Sequence, residues 1–393
     1  MTAALQTDRA VILWRNALIV VFGVCGLSLG GWMARMPAIK QALGIDTAQT
    51  GLVISALAIG SVLGLAFAGM LVSRFGARIV IAMALVGVAV GLVIAGGGTT
   101  LGSFWATYAG FLVYGAMLGV CDVAMNVSGA LNERALGKTF MPVLHAFFSI
   151  GALVGAGVGA LTESLGAPLL AHAGLLAVGI LLLALFAVRH IRSGSSEPST
   201  EKSKVGLREI WGDPRTYFIG LIVLGMALAE GSATDWLAVA MVDGHGTDNT
   251  TGALVFALFM CAMTFGRLVG GPLIDRYGRV PALRVSAVLS AVGLAVFIFV
   301  PDTTLAIAGV VAWGLGSALG FPTGMSAAAD DARTASARVS AVALIGYFAY
   351  LVGPPALGFL GEQVGILLAL TLVLGFIVIS GLASPAAREA ARK

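Results

Sequence analysis

Apolar runs about twenty residues long follow one another along the chain, broken only by short clusters of charge, proline and glycine. Punctuating at those clusters predicts twelve helices, over residues 14–34, 48–72, 79–97, 103–128, 142–162, 168–190, 216–241, 250–272, 281–300, 304–328, 338–360 and 364–383. At ~1.5 Å per residue each run crosses ~30 Å of hydrocarbon. The runs are continuous rather than alternating, which excludes a transmembrane β-barrel. One long polar interruption, residues 192–214, follows the sixth run and is rich in Ser, Glu and Lys. That composition predicts a flexible linker. The expected organisation is a six-helix bundle over 1–191, a linker over 192–214 and a second six-helix bundle over 215–393.

One polar punctuation occurs twice. Gly271-Pro-Leu-Ile-Asp-Arg-Tyr-Gly-Arg279 repeats Gly69-Met-Leu-Val-Ser-Arg-Phe-Gly-Ala-Arg78, 202 residues apart (271 − 69). Both are expected to be turns at a membrane surface, where the glycines allow reversal and close helix approach. Asp275, Arg276 and Arg279, with Arg74 and Arg78 in the first copy, are expected to pin these turns where charge is solvated. A second match, Gly159-Ala-Leu-Thr-Glu-Ser-Leu-Gly166 against Gly358-Phe-Leu-Gly-Glu-Gln-Val-Gly365, is offset by 199 (358 − 159). The two halves are therefore a repeat. Six spans per half bring each copy into the membrane from the same side, a pseudo-two-fold about an axis along the membrane normal.

Composition agrees: 59% hydrophobic, 11% charged, mean hydropathy +0.99. Soluble domains carry about 25% charged residues. The net charge of +4 reflects basic residues in loops, so no nucleic-acid partner is expected. With the amino terminus inside, 21 of the 23 basic residues fall on the inner side, leaving Arg35 and Lys40 outside. That bias predicts cytoplasmic termini and a cytoplasmic linker. The segment before Trp14 lacks a small-residue cleavage site, so the first run is read as a retained helix. Cys25, Cys121 and Cys261 lie in apolar runs without metal or pairing spacing, and no metal or other cofactor is expected.

The paired loops, after the second and eighth helices of a 6+6 chain, resemble the signature loop of the major facilitator superfamily. Ser73 departs from that pattern, standing where an acid is usual. The resemblance implies an all-α membrane fold of two six-helix bundles, a monomer, and transport of a small solute by alternating access in the cytoplasmic (inner) membrane. It implies that Asp275 pairs with a neighbouring helix amino terminus, and that the first and seventh helices face each other. Leu144-His-Ala-Phe-Phe-Ser-Ile-Gly151 is similar to a stretch of the fucose-permease-like branch, which implies proton-coupled uptake of a sugar-like or small polar metabolite. The alternative is proton-antiport efflux of a metabolite or drug. Gly151, Gly155 and Gly159 also resemble the fifth-helix motif of drug antiporters, but Ala156 stands where that motif has proline.

Charge held in hydrocarbon costs at least ~2.5–3.5 kcal/mol on insertion scales and needs a reason. Glu230 sits ~20 Å into the seventh run and is the leading proton-titrating or substrate-binding group; the plainer reading is a protonated structural Glu bonded to a neighbouring helix. Asp235 lies nearer the outer surface, where Arg35 is a plausible gate partner; two independently solvated charges are the alternative. Gly115, Gly119, Asp122 and Asn126 share one helical face, Asp122 and Asn126 serving as a site or relay or as an interhelical hydrogen bond. His145, with Ser149 one turn on, either titrates or donates to a carbonyl. Trp32, Tyr114, Trp313, Tyr347 and Tyr350 are aromatic substrate-binding candidates, and Pro322 and Pro354-Pro355 are expected to break or kink the tenth and eleventh helices. Arg267 is expected to snorkel inward beside the second signature loop.

No P-loop occurs, so direct ATP drive is not expected. A membrane-embedded enzyme would need a nucleophile–base set or metal cluster at one depth, and His145, His172, His190 and His245 are scattered. A non-transporting sensor would bring an added soluble domain. Only a transporter explains the repeat.

Overall fold

A computed structural model describes residues 2–137, 140–192, 207–331 and 334–388. The chain divides into two compact units, Met1–Thr200 and Glu201–Lys393. Most of the predicted linker, residues 193–206, lies outside the described residues. Its last part is not loop: Leu207–Gly212 is a short helix. The described residues contain twelve helical spans long and apolar enough to cross a membrane, and no strand.

In the first unit the elements are α1 (Thr2–Met33), α2 (Met36–Leu43), α3 (Thr47–Phe75), α4 (Ala77–Thr100), α5 (Phe104–Leu136), α6 (Met141–Ser164) and α7 (Leu169–Val188). The second holds α8 (Leu207–Gly212), α9 (Pro214–His245), α10 (Asn249–Tyr277), α11 (Arg279–Phe299), α12 (Thr303–Ser317), α13 (Gly320–Ala328), α14 (Ala335–Val364), α15 (Ile366–Ala369), α16 (Thr371–Ala383) and a 3₁₀ turn, Ser384–Ala387. The tenth span breaks between α12 and α13, just before Pro322. The eleventh, α14, continues through Pro354 and Pro355.

The repeat is written into the helix ends. Gly44 and Gly246 both end a helix in the left-handed region (φ 62° and 67°), a conformation that only glycine adopts freely. Two residues later Asp46 and Asp248 cap the next helix, each accepting from a backbone N–H three residues on. Gly76 and Gly278 (φ 78° and 84°) then make the opposite reversal. Across all three pairs the offset is 202. Ser103 and Asp302 cap α5 and α12 at an offset of 199.

These ends correct one expectation. The signature segments are not extended turns: α3 and α10 run helical to Phe75 and Tyr277, and a single glycine makes each reversal. Gly69 and Gly271 sit within helix with open space where a Cβ would stand, so close approach is not their role.

Close approach occurs elsewhere. A Cβ on Gly151 or Gly155 of α6 would lie 2.0 or 2.1 Å from the carbonyl oxygens of Gly23 or Leu27 in α1. On Gly115 or Gly119 of α5 it would lie 2.1 or 2.5 Å from those of Leu57 or Ser61 in α3. These pairs mesh backbone against backbone, the arrangement small residues permit between membrane helices. The second unit packs α9 on α14 differently. Gly220, Gly231, Gly346 and Gly353 there meet side chains, of Ile345, Tyr350, Val223 and Leu228.

Candidate functional site

The longest spans put their midpoints deepest in the bilayer, and the chain places its charge there. Glu230 is at the middle of α9 and Tyr350 at the middle of α14. From the antiparallel neighbour α10, Arg267 donates through Nη2 to Glu230 Oε1 at 2.8 Å. The two side chains are 31% and 18% exposed, so the pair is partly exposed rather than sealed. Tyr350 packs on Gly231, the residue after Glu230, where a Cβ would meet its ring at 3.1 Å. Its hydroxyl lies within electrostatic reach of Glu230, Arg267, Asp235 and Tyr347. Tyr347, one turn before it, is 46% exposed. The arrangement offers a carboxylate acceptor, a guanidinium donor and a phenol at one depth, a set suited to binding hydroxyl-bearing solutes and to exchanging a proton.

Arg267 was expected only to snorkel; its pairing with Glu230 corrects that. It also changes the reading of Glu230, which has a counter-charge and is not a lone desolvated acid. The Arg35 expectation is changed likewise. Its guanidinium is buried among Glu163, Thr162 and the Ala167 carbonyl (3.1 Å to Thr162 Oγ1, 2.8 Å to Ala167), so Glu163 in its own unit, not Asp235, is its ion-pair partner.

In the first unit Asn126 donates to the Asp122 carbonyl at 2.8 Å and to its carboxylate at 3.1 Å, one turn apart on α5. Gly115 and Gly119 on that face pack α5 against α3, and both polar residues remain partly exposed. His145 is exposed, its ring edge-on to Phe22 at 5.3 Å, and Ser149 donates to its carbonyl at 3.3 Å.

Three aromatic candidates are packing residues. Trp32 is fully buried between Phe111 and His172, with ring centroids at 5.5 and 5.9 Å. Tyr114 shares a hydrogen bond with Ser28 at 3.0 Å, and Trp313 lies against Phe259 and Phe297. With Trp14 donating to Ser128 (2.9 Å) and the Cys25 and Cys121 sulfurs 3.7 Å apart, Trp32 and Tyr114 belong to an antiparallel ladder joining α1 to α5.

The signature charges divide by copy. Arg279 pairs with Asp330 and donates to Ser326 at 3.0 Å. Asp330 also takes Arg215 at 2.9 Å, and Arg338 pairs with Asp213 at 2.6 Å. Asp275 is exposed and makes no hydrogen bond or ion pair among the described residues, so the acid that fastens this end is Asp330. Arg276 and Arg74 lie over the rings of Tyr277 and Phe75 (5.3 and 5.4 Å), and Arg78 has no carboxylate partner among the described residues. Sequence reasoning missed Asp330, Asp213, Arg215 and Arg338 because it used end-of-helix charges only for orientation. The adjacent acids Asp330 and Asp331, straight after a helix, were the available signal.

An all-helical chain of twelve spans with repeated halves and charge at midspan has the architecture of a polytopic membrane transporter. The sequence matches the family model of the Major Facilitator Superfamily over residues 18–343 and 231–391, and the chain belongs to that superfamily. An MFS-type transporter of Yersinia pestis is 33% identical over 346 residues, 87% of this chain and 88% of that one. Among solved structures, the nucleoside transporter NupG superposes with a TM-score of 0.75 at 18% identity, covering 95% of this chain and 98% of that one. A variant of the E. coli fucose:proton symporter FucP does so at 0.63 and 16%, covering 97% and 100%. The resemblance to the fucose-permease-like branch stands at the level of fold, and the chain is a transporter rather than an enzyme.

Proposed function

We propose that the chain moves a small polar, sugar-like solute together with protons across the cytoplasmic membrane by alternating access, as a monomer with both termini inside. The Glu230–Arg267 pair beside Tyr350 carries this reading. A pair at that depth costs insertion free energy and is retained for a function. Sugar hydroxyls both donate and accept, so one solute can engage the carboxylate and the guanidinium together. Protonating Glu230 removes the charge that holds Arg267 and turns its N–H groups toward the solute. Asp122 with Asn126 is the second proton-handling group, and the basic residues counted on one side support the orientation.

The test is ligand-induced thermal stabilisation of the purified protein across sugars, polar metabolites and amphipathic cations, followed by proteoliposome uptake under an imposed proton gradient. A sugar that stabilises the native protein but neither Glu230→Gln nor Asp122→Asn, and accumulates only with inward proton flow, is the expected result. Stabilisation by amphipathic cations alone would overturn uptake and point to efflux.

A further inference from the structure

A groove lies at the end of the second unit where α9 begins and α16 finishes. It has a volume of about 520 Å³ and is lined by Phe218, Leu221, Ile379, Leu382 and Pro385, with Arg215 at its mouth. Phe218, Ile379 and Leu382 are among its exposed residues. Its size falls in the range of ligand sites, ~300–1,000 Å³.

Two observations say what covers it. The first is depth. Tyr217, beside Phe218, donates to the Trp211 carbonyl at 2.8 Å and packs on its ring at 5.9 Å. Such an amphipathic aromatic pair sits where headgroups meet acyl chains. The second is charge. Arg215 donates to the Ala386 carbonyl at 3.0 Å and to Asp330, which fastens the guanidinium at the groove. Arg284, which donates to Ser384 at 3.3 Å, and Arg388, whose carbonyl accepts from Arg215, are both exposed. Neither has a carboxylate partner among the described residues. An apolar trough at headgroup depth beside Arg284 and Arg388 is complementary to a ligand with a hydrocarbon chain and an anionic head.

We propose that this groove binds an anionic phospholipid, its acyl chain along Phe218, Ile379 and Leu382 and its phosphate between Arg284 and Arg388. The site requires only that the chain spans a bilayer and is independent of which solute is carried.

Native mass spectrometry of the detergent-solubilised full chain, titrated with phosphatidylglycerol, phosphatidylcholine or inorganic phosphate, tests it. Phosphatidylglycerol is expected to bind one-to-one, more tightly than phosphatidylcholine, with about fivefold weaker affinity for each of Arg284→Gln and Arg388→Gln. Ile379→Trp, which fills the trough and leaves the charges intact, is expected to weaken binding of both lipids. Thermal unfolding in lipid-free detergent checks that each variant is folded. Equal binding of the two lipids, indifference to all three substitutions, or inorganic phosphate displacing phosphatidylglycerol would each overturn the assignment.

Discussion

Neutralising Glu230 and Arg267 together should harm the fold by less than the sum of the two single changes. The pair is 2.8 Å between heavy atoms, which puts its charge centres ~4 Å apart. At an effective dielectric of ~20 that attraction is about 4 kcal/mol. Because both side chains are partly exposed, about half of it is taken to survive as coupling. Removing one partner also strands the other charge at midspan, so Glu230→Gln or Arg267→Met alone should cost ~2–4 kcal/mol. In the double variant no charge remains, and its cost should fall about 2 kcal/mol below the sum of the singles. The assay is a double-mutant cycle on the unfolding free energy of the purified protein in one detergent. Additivity within ~0.5 kcal/mol would refute the pairing as an energetic unit.

Three other outcomes follow from the geometry. Gly155→Leu in α6 should prevent stable folding or cost more than ~3 kcal/mol, because its Cβ would lie 2.1 Å from the Leu27 carbonyl; near-native melting would refute the backbone meshing. Arg35→Gln, which leaves Glu163 without its buried partner, should cost ~3 kcal/mol by thermal or denaturant unfolding, whereas Asp235→Asn should leave that contribution unchanged. The Asp248 carboxyl is held below the usual carboxylate range by the Thr251 backbone N–H and hydroxyl it accepts from. A depressed folded-state value means that its stabilisation is present above the ordinary Asp range and is lost as pH falls through the folded value. Asp248→Ala should therefore remove part of the acid sensitivity of unfolding and leave the slope near neutral pH unchanged.

The spans were legible because hydrophobic length is a local property. Eleven of the twelve predicted runs begin within three residues of the helical spans found. The first helix begins at Thr2 rather than residue 14, because helix continues ahead of the apolar run through residues of mixed polarity. The fourth span continues to Leu136, eight residues past its predicted end, through the Asn132–Arg134 stretch that polarity alone reads as loop. The short helix α2 was hidden because its eight residues directly follow an apolar run and open on Pro37.

The site was legible in its members and not in its partnerships. Glu230, Asp122 and Asn126 announce themselves as polar residues in apolar helices. That Arg267 meets Glu230, and that Glu163 rather than Asp235 meets Arg35, depends on which helix faces pack together, which spacing along one chain does not encode. Burial of Trp32 is similar: its stacking on His172 joins residues 140 positions apart (172 − 32). The repeat itself marks one informative break. At the offset of 202, Glu230 corresponds to Ser28, which is buried and bonded to Tyr114, so the charged centre exists in one copy only.

The two units also differ in what holds their helices. Where α6 meets α1 and α5 meets α3, peptide groups touch, and a peptide group has no rotamers. Those pairs are stiff struts, able to tilt as one piece but not to slide. Where α14 meets α9 the contact is made by Ile345, Val223, Leu228 and Tyr350, and such side chains can change rotamer as a helix shifts. The α9–α14 contact is thus more compliant than α1 on α6 or α3 on α5, while α11 on α12 in the same unit is stiff, a Cβ on Gly293 lying 2.5 Å from the Gly309 carbonyl. Amide exchange should be slower across α1 and α6 than across α9 and α14, with the compliance concentrated around Tyr350, beside the Glu230–Arg267 pair.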